Sequence, residues 1–478
     1  MPIKNSLQRA KKLQANNNIS FPIGSILAVK EYYDFIGLST IFSKFKGRGI
    51  DINCLVQLLI SYKLTENLSI SKASKWINRT PILDMFDLKP FHEKTLFRTL
   101  EIIGDNMEEI IYHIQDHIMD RYDFEHTDVN MDWSSLILYG DKSNLGRYGY
   151  SRDHRPDKKQ ITFGLAELRV PVNIPIGMTI QKGNVNDTEH FKETYDQVKD
   201  VLDEGSMFIF DKGAHSKDNI DLILADKMKY LTAKKLNKSD DKIIKDFSLS
   251  EAELVNAEDG IYGIKIHYPS RINYFYFSKK LEWEQLQSRK RKAQRMYDQA
   301  KVIQDSIDND RGLPKRFRIN NELIDIKYSY QTKLKDISFE EAMRIVEKAS
   351  INGREGFFCL VSSEDLTLQQ TLETYRMKDS IEKIINSMKN EIVIKPLRVW
   401  KDESIYGALL IGFLAQLFIS LIRYEHEELR KVSTKFIKIS LMNLTVTVIL
   451  HQNGPNNWIY SNFDPINQVI LIRNTAKT

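Results

Sequence analysis

The hydrophobic pattern changes near residue 123, from a helical period to the period of two that is typical of β-strands. Three strands are predicted in succession, Glu125–Trp133, Ile161–Val170 and Ile174–Gln181, and the last two form a hairpin through Pro171. A helix is predicted next, from Asp187 to Leu202. Elements in this order bury their apolar faces best in a sheet that carries helices on its faces.

The later sequence extends this pattern. A buried apolar segment ends at Asp211, and a helix capped by Ser216 follows it. One long helix is predicted over Leu366–Lys389. Further strands are predicted at Met207–Phe210, Lys229–Ala233 and Gly356–Val361. We therefore predict an α/β fold, in which a mixed sheet with flanking helices is interrupted by an insertion and preceded by a helical N-terminal region.

These patterns divide the chain into five predicted segments. Residues 1–122 form the helical N-terminal region, and residues 123–235 form the first part of the α/β core. Residues 236–355 form an insertion domain with a dense charge pattern. The second part of the core covers residues 356–430, and residues 431–478 form a C-terminal tail.

Charge and cysteine content narrow the classes of function. The chain has 69 Lys and Arg against 64 Asp and Glu, a formal net charge of +5, so any affinity for nucleic acid must come from local basic patches. Its two cysteines, Cys54 and Cys359, exclude a disulfide framework and a paired-cysteine zinc site, which favours a cytoplasmic protein. No G-x4-G-K-[ST] loop and no G-x-S-x-G elbow occurs, so ATP use and serine hydrolysis lose their usual motifs.

One uncharged segment, Tyr406–Ile422, approaches the length that spans a bilayer. Gln416 and Ser420 interrupt it, and no second span accompanies it. We predict a helix buried inside a large domain, and no association with a membrane.

Three carboxylates occur at positions where the predicted fold could bring them together. Asp132 lies at the end of the first predicted strand, Asp211 follows the fourth, and Glu382 lies on the late helix. Ligands in such sheets gather at the carboxyl ends of strands. Carboxylates without His or Cys neighbours favour Mg²⁺ or Mn²⁺. Asp128 shares the strand face of Asp132 and is an alternative first acid, and Asp211 is equally well explained as a turn residue.

The late helix adds a pattern around Glu382. On a single helix, Tyr375, Lys378, Glu382 and Lys389 fall within an arc of about 60°. An apolar stripe lies beside this arc, formed by Ile381, Ile384, Ile385 and Met388. The alternative is a surface helix whose charges are simply solvated.

These residues resemble a known signature. The spacing Tyr375-x2-Lys378-x3-Glu382-x6-Lys389 is similar to the Y-x2-R-x3-E-x6-K signature of DDE-type insertion-sequence transposases, whose catalytic domain has an RNase H-like fold. The resemblance covers about residues 120–235 and 355–425, and a long insertion before the Glu is also a feature of that group. It also includes the segments Met131–Ser135, Gly149–Asp157, Gly183–Asp187 and Phe208–Gly213. Lys378 departs from the signature, because a Lys lacks the planar fork with which Arg binds phosphate.

The resemblance implies a function and a set of residue roles. Asp132, Asp211 and Glu382 would bind two Mg²⁺ or Mn²⁺ ions for the cleavage and strand transfer of DNA. Tyr375, Lys378 and Lys389 would contact the DNA. The partners implied are double-stranded DNA, as transposon ends and target, and a second copy of the chain in a DNA-bound homodimer. The location implied is the nucleoid in the cytoplasm.

Two basic clusters are candidate DNA contacts. Arg152, Arg155 and Lys158 lie in the loop after the first strand, where DNA contact is favoured over solvation. Arg289 and Arg291 lie on a helix predicted over residues 281–301 of the insertion, where the two interpretations are equal.

Two alternative functions remain at the level of sequence. A catalytically inactive, transposase-derived DNA-binding protein would carry the same fold, and so would an RNase H-like nuclease that cuts without joining. His113-x3-His117 has the spacing of a metal pair, but no third ligand is evident, so a structural role is favoured.

Overall fold

The computed structural model describes residues 19–45, 49–65, 69–122, 127–169, 173–309, 351–449 and 457–476, with short pieces between residues 311 and 344. These residues form two compact units. The first contains the described residues up to Lys229 and those from Met377 onward, and the second is Tyr230–Arg376.

The N-terminal part of the first unit is helical, as predicted. Two of its helices begin at capping side chains that the sequence supplies, because Asp51 accepts a hydrogen bond from the amide of Asn53 and Ser69 accepts one from Lys72. The helices are α1 (Gly24–Phe35), α2 (Leu38–Lys44), α3 (Ile52–Lys63), α4 (Ile70–Ile77), α5 (Thr80–Met85), α6 (Lys94–Asp105) and α7 (Met107–Arg121). A short strand that was not predicted, β1 (Ile19–Pro22), precedes them.

The core of the first unit contains a mixed sheet. Its strands are β2 (Val129–Ile137), β3 (Gln160–Leu168), β4 (Ile174–Lys182) and β5 (Met207–Phe210). They are arranged in the order β4-β3-β2-β5, with β3 antiparallel to both neighbours and β5 parallel to β2. This order confirms the predicted mixed α/β fold and is that of an RNase H-like core. Pro171 of the predicted hairpin lies outside the described residues.

Helices cover both faces of this sheet. On one face lies α8 (Asp187–Val198), where Thr194 accepts a hydrogen bond from the indole of Trp133 on β2. On the other lies α13 (Asp379–Asn390), where Ser380 contacts Asn130. Residues 130 and 133 point to opposite faces because side chains alternate along a strand. The remaining helix of this region, α9 (Lys217–Ala225), begins at the predicted cap Ser216.

The uncharged segment forms the core helix α14 (Asp402–Glu425). By length and composition it could cross a membrane, but 89% of its most apolar stretch is buried within the unit, as predicted. It packs against α3, α6 and β4. At the crossing with α6 the backbones touch, because a Cβ on Gly407 would overlap the carbonyl oxygen of Leu100.

The C-terminal residues return to the N-terminal strand. They form α15 (Thr434–Asn443), β13 (Thr445–Ile449), β14 (Asn457–Ser461) and α16 (Pro465–Ala476). The strands β1, β13 and β14 make a three-stranded antiparallel sheet in which Ile19 is opposite Val448. The segment predicted as a tail therefore contributes two strands and two helices among the described residues.

The second unit contains five antiparallel strands. These strands, in the order β6-β12-β9-β8-β7, are β6 (Lys229–Lys234), β7 (Glu253–Asn256), β8 (Ile261–Tyr268), β9 (Arg271–Ser278) and β12 (Phe357–Ser362). The short strands β10 (Ile324–Lys327) and β11 (Gln331–Leu334) pair separately. Three helices are described here: α10 (Asp241–Asp246), α11 (Lys279–Asp308) and α12 (Leu368–Arg376).

The prediction of one continuous helix over Leu366–Lys389 is wrong, because α12 ends at Arg376 and α13 begins at Asp379. Leu368 and Leu372 of α12 are buried in the second unit, whereas the stripe of α13 from Ile381 to Met388 is buried in the first. On a continuous helix these two apolar sets would lie on opposite faces, about 180° apart. The break lets each helix bury its own set.

Candidate active site

The register of β2 and β5 places the first two predicted acids side by side. Met131 is paired with Phe210 across these parallel strands, and Asp132 and Asp211 are the next residue on each. Paired strands lie about 5 Å apart, so the two backbones start from neighbouring positions. The prediction that Asp132 lies at the end of its strand is wrong, because β2 continues to Ile137. The edge at this point is created by β5, which stops at Phe210.

Asp132 lies within the electrostatic reach of the third acid. Burial raises the pKa of Asp132, while the positive charges of Lys378 and Arg152 act to lower this pKa. The negative charge of Glu382 raises the same pKa. The helix α13 therefore packs close enough to β2 for the charge of Glu382 to act on Asp132.

Lys378 is the cation at the centre of this group. Its side chain is only 6% exposed, and its Nζ lies 3.2 Å from Oε1 of Glu382, whose side chain is 59% exposed. The charge of Lys378 also acts on Asp132 and Asp187. A buried ammonium group among several carboxylates offsets their mutual repulsion.

Asp187 is a site residue that the sequence analysis missed. Its Oδ2 accepts a hydrogen bond of 2.6 Å from Arg152, whose backbone amide donates to Ser135 on β2. Burial raises the pKa of Asp187, Asp211 raises it further, and Arg152 lowers it. A Cβ on Gly213 would lie 2.6 Å from the same Oδ2, so the turn after Asp211 passes directly beside Asp187.

A pocket of about 610 Å³ opens beside the Arg152–Asp187 pair. Ser135, Thr188 and Gly213 are among its lining residues, as is the exposed Tyr150. The signal for Asp187 was present in the segment Gly183–Asp187, in which Asn186 caps α8 by accepting a hydrogen bond from Glu189. The sequence could not show that Arg152, from a distant loop, would bind Asp187, the residue after this cap.

Asp128, the alternative first acid, lies elsewhere. It precedes the first residue of β2 and forms an ion pair of 2.9 Å with Arg169, just after β3. Asp128 is four positions before Asp132, which corresponds to about 13 Å along an extended strand.

Lys389 is paired within the protein. Its side chain is 8% exposed, and its Nζ lies 3.5 Å from Oδ1 of Asp153, which also lies 3.4 Å from Nζ of Lys395. Burial lowers the pKa of Lys389, and Asp153 opposes this shift. The remaining residue of the signature, Tyr375, lies on α12 in the second unit.

The other predicted DNA contacts have different environments. Arg155 is exposed and forms two hydrogen bonds with Asp157, of 2.8 and 2.7 Å. Lys158 lies over the ring of Tyr139, with Nζ 5.9 Å from the centroid. In the second unit Arg289 forms an ion pair with the buried Glu355, whereas Arg291 is exposed.

The predicted acids offer only oxygen donors, which suit Mg²⁺ or Mn²⁺. Within the part of the chain that the structure describes, no three His, Cys, Asp or Glu side chains are positioned to bind one ion. An ion would have to compete with Lys378 for Glu382, whose side chain is more than half exposed. Among the described residues no third ligand accompanies His113 and His117, and a ring nitrogen of His113 lies 2.8 Å from the carbonyl oxygen of Gly37.

A further carboxyl group, Glu167, lies near Asp132 and was also missed. It is fully buried on β3 and contacts Asn130 and Ser380. Burial raises its pKa from 4.5 to about 7, against the opposing effect of hydrogen bonds from Asn130 and Ser380. The signal was a single Glu in a strand whose nine residues are otherwise uncharged and all buried.

The chain is similar to known proteins over the region that contains these residues. The family described as the transposase DDE domain matches residues 131–418, a range that includes all three predicted acids. No curated protein sequence matches the chain. Among solved structures, the chain is similar to the piggyBac transposase in a cryo-EM synaptic complex with hairpin DNA, at 11% identity and a TM-score of 0.44. That similarity covers 88% of this chain and 79% of the other.

Proposed function

Because this chain belongs to the family of transposases with a DDE domain and is therefore a DNA-cleaving enzyme of DNA transposition, we propose that it cleaves and joins strands by a two-metal reaction at Asp132, Asp211 and Glu382. The observation that carries this assignment is the register of β2 and β5, which makes Asp132 and Asp211 neighbours. The influence of Glu382 on the pKa of Asp132 supports the third member. Asp128, paired with Arg169, is the weaker candidate for the first acid.

Two Mg²⁺ or Mn²⁺ ions, when bound, would supply an activated water or DNA 3′-hydroxyl and stabilise the leaving oxygen. The protein contributes the remaining interactions. Lys378 and Arg152 lie beside the acids and are proposed to hold the phosphate under attack, Lys378 through a single point of charge rather than a planar fork. Lys389 is proposed to break its ion pair with Asp153 and then bind a neighbouring phosphate.

Further contacts are proposed along the DNA path. Arg155 is exposed and Lys158 is partly exposed on the loop between β2 and β3, and both would bind the backbone of double-stranded DNA. Arg291 on α11 is exposed and would do the same, whereas Arg289 would first have to leave its ion pair with Glu355. Tyr375 is proposed to contact the DNA as well. We propose that two copies pair two transposon ends, on DNA in the nucleoid.

A second candidate is a transposase-derived protein that binds DNA without cutting it. The specific observation in its favour is the ion pair between Lys378 and Glu382, which occupies the third acid. A nuclease that cuts without joining is the third candidate.

The test uses labelled DNA from both flanks of the gene, with Mg²⁺ or Mn²⁺, and compares the wild type with Asp211→Asn. The matched control is Asp203→Asn, an exposed Asp just before β5. We expect discrete cleavage and joining by the wild type and the control, and a loss of at least about 100-fold in Asp211→Asn. Binding of the ends, measured by fluorescence anisotropy, should be unchanged in all three proteins.

Each other result selects another candidate. Binding without cleavage in both metals selects the inactive DNA-binding protein, and cleavage without joined products selects the nuclease. Full activity of Asp211→Asn contradicts the proposed site.

A further inference from the structure

Three buried polar side chains connect β2, β3 and α13 beneath the proposed catalytic acids. Asn130 donates from Nδ2 to Oε1 of Glu167 at 2.9 Å and to Oγ of Ser380 at 3.0 Å. Ser380 donates from Oγ to the same Oε1 of Glu167. The three side chains therefore form a closed ring of hydrogen bonds, with one member on each of the three elements. We call this ring the polar triad.

The polar triad lies close in sequence to two of the proposed acids. Asn130 is two residues before Asp132 on the same face of β2, because side chains alternate along a strand. Ser380 is two residues before Glu382 on α13. At about 100° per residue, Ser380 and Glu382 lie on opposite flanks of the apolar stripe of this helix. Fixing Ser380 therefore fixes the rotation of the helix that presents Glu382.

Apolar packing alone would not select this rotation. The stripe of α13 contributes hydrophobic contacts, which are non-directional and tolerate small rotations and shifts of a helix. Hydrogen bonds depend on both distance and angle, so a buried polar contact selects one arrangement. Buried polar groups are known to specify register in this way, at a cost in stability.

The cost is visible in the polar triad. Asn130 and Glu167 are fully buried, and within the described structure Oδ1 of Asn130 and Oε2 of Glu167 have no hydrogen-bond partner. An apolar trio of similar volume would avoid these unsatisfied atoms. A buried polar cluster with this cost is expected where it has a functional use.

We propose that Asn130, Glu167 and Ser380 are positioning residues that hold Glu382 in register with Asp132, so that the two acids can share a divalent cation. This inference rests on the proposed function of the site. It assigns the three residues no contact with DNA or with the metal. Their role is to set the distance and orientation between β2 and α13, and metal affinity follows from that geometry.

The test compares Ser380→Ala with Ser387→Ala in the full-length protein. Ser387 is a matched control, because it is a buried hydroxyl on the same helix whose hydrogen bonds, 2.7 Å with Gln416 and 2.9 Å with Thr434, lie away from β2. The readouts are Mn²⁺ binding by electron paramagnetic resonance in the complex with cleaved end DNA, the Mn²⁺ dependence of cleavage, and thermal unfolding.

We expect both variants to lower the unfolding temperature, since each loses a buried hydrogen bond. Only Ser380→Ala should weaken Mn²⁺ binding, by about tenfold, and raise the Mn²⁺ concentration for half-maximal cleavage to the same extent. Its rate at saturating Mn²⁺ should approach that of the wild type. Ser387→Ala should change Mn²⁺ binding by less than about twofold.

Glu167 gives a second, independent comparison. Glu167→Gln keeps an oxygen that can accept from Ser380 and Asn130, so it should retain Mn²⁺ affinity within about twofold of the wild type. Glu167→Ala removes the acceptor and should behave like Ser380→Ala. If Ser380→Ala does not fold, the pair at residue 167 decides the question.

Failure of this inference can be distinguished from failure of the proposed function. If the wild type neither binds Mn²⁺ nor cleaves DNA, the proposed function is wrong. If the wild type does both and Ser380→Ala, or Glu167→Ala in its place, has the Mn²⁺ affinity of the wild type, the positioning role alone is overturned.

Discussion

Glu167 shows how a single buried carboxyl group couples stability to pH. Its pKa in the folded protein is about 7, above the ordinary value of 4.5, so the folded state binds this proton more tightly than the unfolded state. The stabilisation is then fully present below pH 4.5 and is lost as the pH rises through about 7. The difference between these two pKa values corresponds to about 3 kcal/mol.

We therefore predict that Glu167→Gln, which cannot ionise, removes this loss. Between pH 5 and pH 8 the free energy of unfolding of the wild type should fall relative to that of the variant, by up to about 3 kcal/mol. Urea unfolding at several pH values measures the difference between the two proteins, so groups that titrate equally in both cancel. Parallel pH profiles would show that Glu167 is already ionised in the folded protein.

Asp153 shows how a carboxylate can occupy a cation that DNA would otherwise bind. Its Oδ1 forms ion pairs with both Lys389 and Lys395, and its Oδ2 is buried without a hydrogen-bond partner among the described residues. We predict that Asp153→Asn tightens DNA binding roughly threefold to tenfold and steepens its dependence on salt by about one phosphate contact.

The control is Asp203→Asn, which makes the same change in net charge at an exposed side chain that, among the described residues, is paired with none of the proposed DNA contacts. Titrations by fluorescence anisotropy at several salt concentrations compare the two variants. An equal gain in both would show that net charge alone is responsible, and that Lys389 is not released.

At the level of elements, the hydrophobic pattern was enough to predict the strands β2 to β6 and β12. Met207–Phe210 was predicted to the residue, and the helix cap at Ser216 is present, because a short apolar run bounded by turn residues is a local signal. The break between α12 and α13 was missed, because it depends on which core each apolar stripe enters. The polar triad was missed as well, because its three members are distant in sequence.

The crossing of α6 and α14 gives a prediction about packing. A Cβ on Gly407 would overlap a backbone carbonyl oxygen of α6, whereas a Cβ on Gly412 would meet only the γ-methyl group of Ile394. Backbone cannot move without displacing a helix, so Gly407→Ala should lower the free energy of unfolding by about 3 kcal/mol or more.

Gly412→Ala is the matched control in the same helix. It gains about 1 kcal/mol of helix propensity, which offsets the displacement of Ile394, so its net effect should stay within about 1 kcal/mol. Urea unfolding measures both variants. Equal effects would show that α6 and α14 are not held at this close approach.

At the scale of the whole molecule, the two units differ in how the chain builds them. The first is made from two stretches separated by the entire second unit, whereas the second is one continuous stretch. In the first unit, β1 pairs with β13, and α6 packs against α14. No local pattern predicts these pairings, because N-terminal residues meet partners that follow more than 300 positions later. The predicted tail was left without a role for this reason.

This difference predicts how fragments behave. Residues 230–376 contain every strand partner in the ladder β12-β9-β8-β7 and should unfold cooperatively on their own. Residues 1–229 lack α13 and α14, so the apolar faces of β2, β3 and β4 that these helices cover would be exposed to water. Near-UV circular dichroism and urea unfolding of the separate fragments test this, and adding residues 377–478 to the first fragment should restore a cooperative transition. Cooperative unfolding of residues 1–229 alone would mean that the two separated stretches do not form one core, because the N-terminal part would then be stable without the helix that fills it.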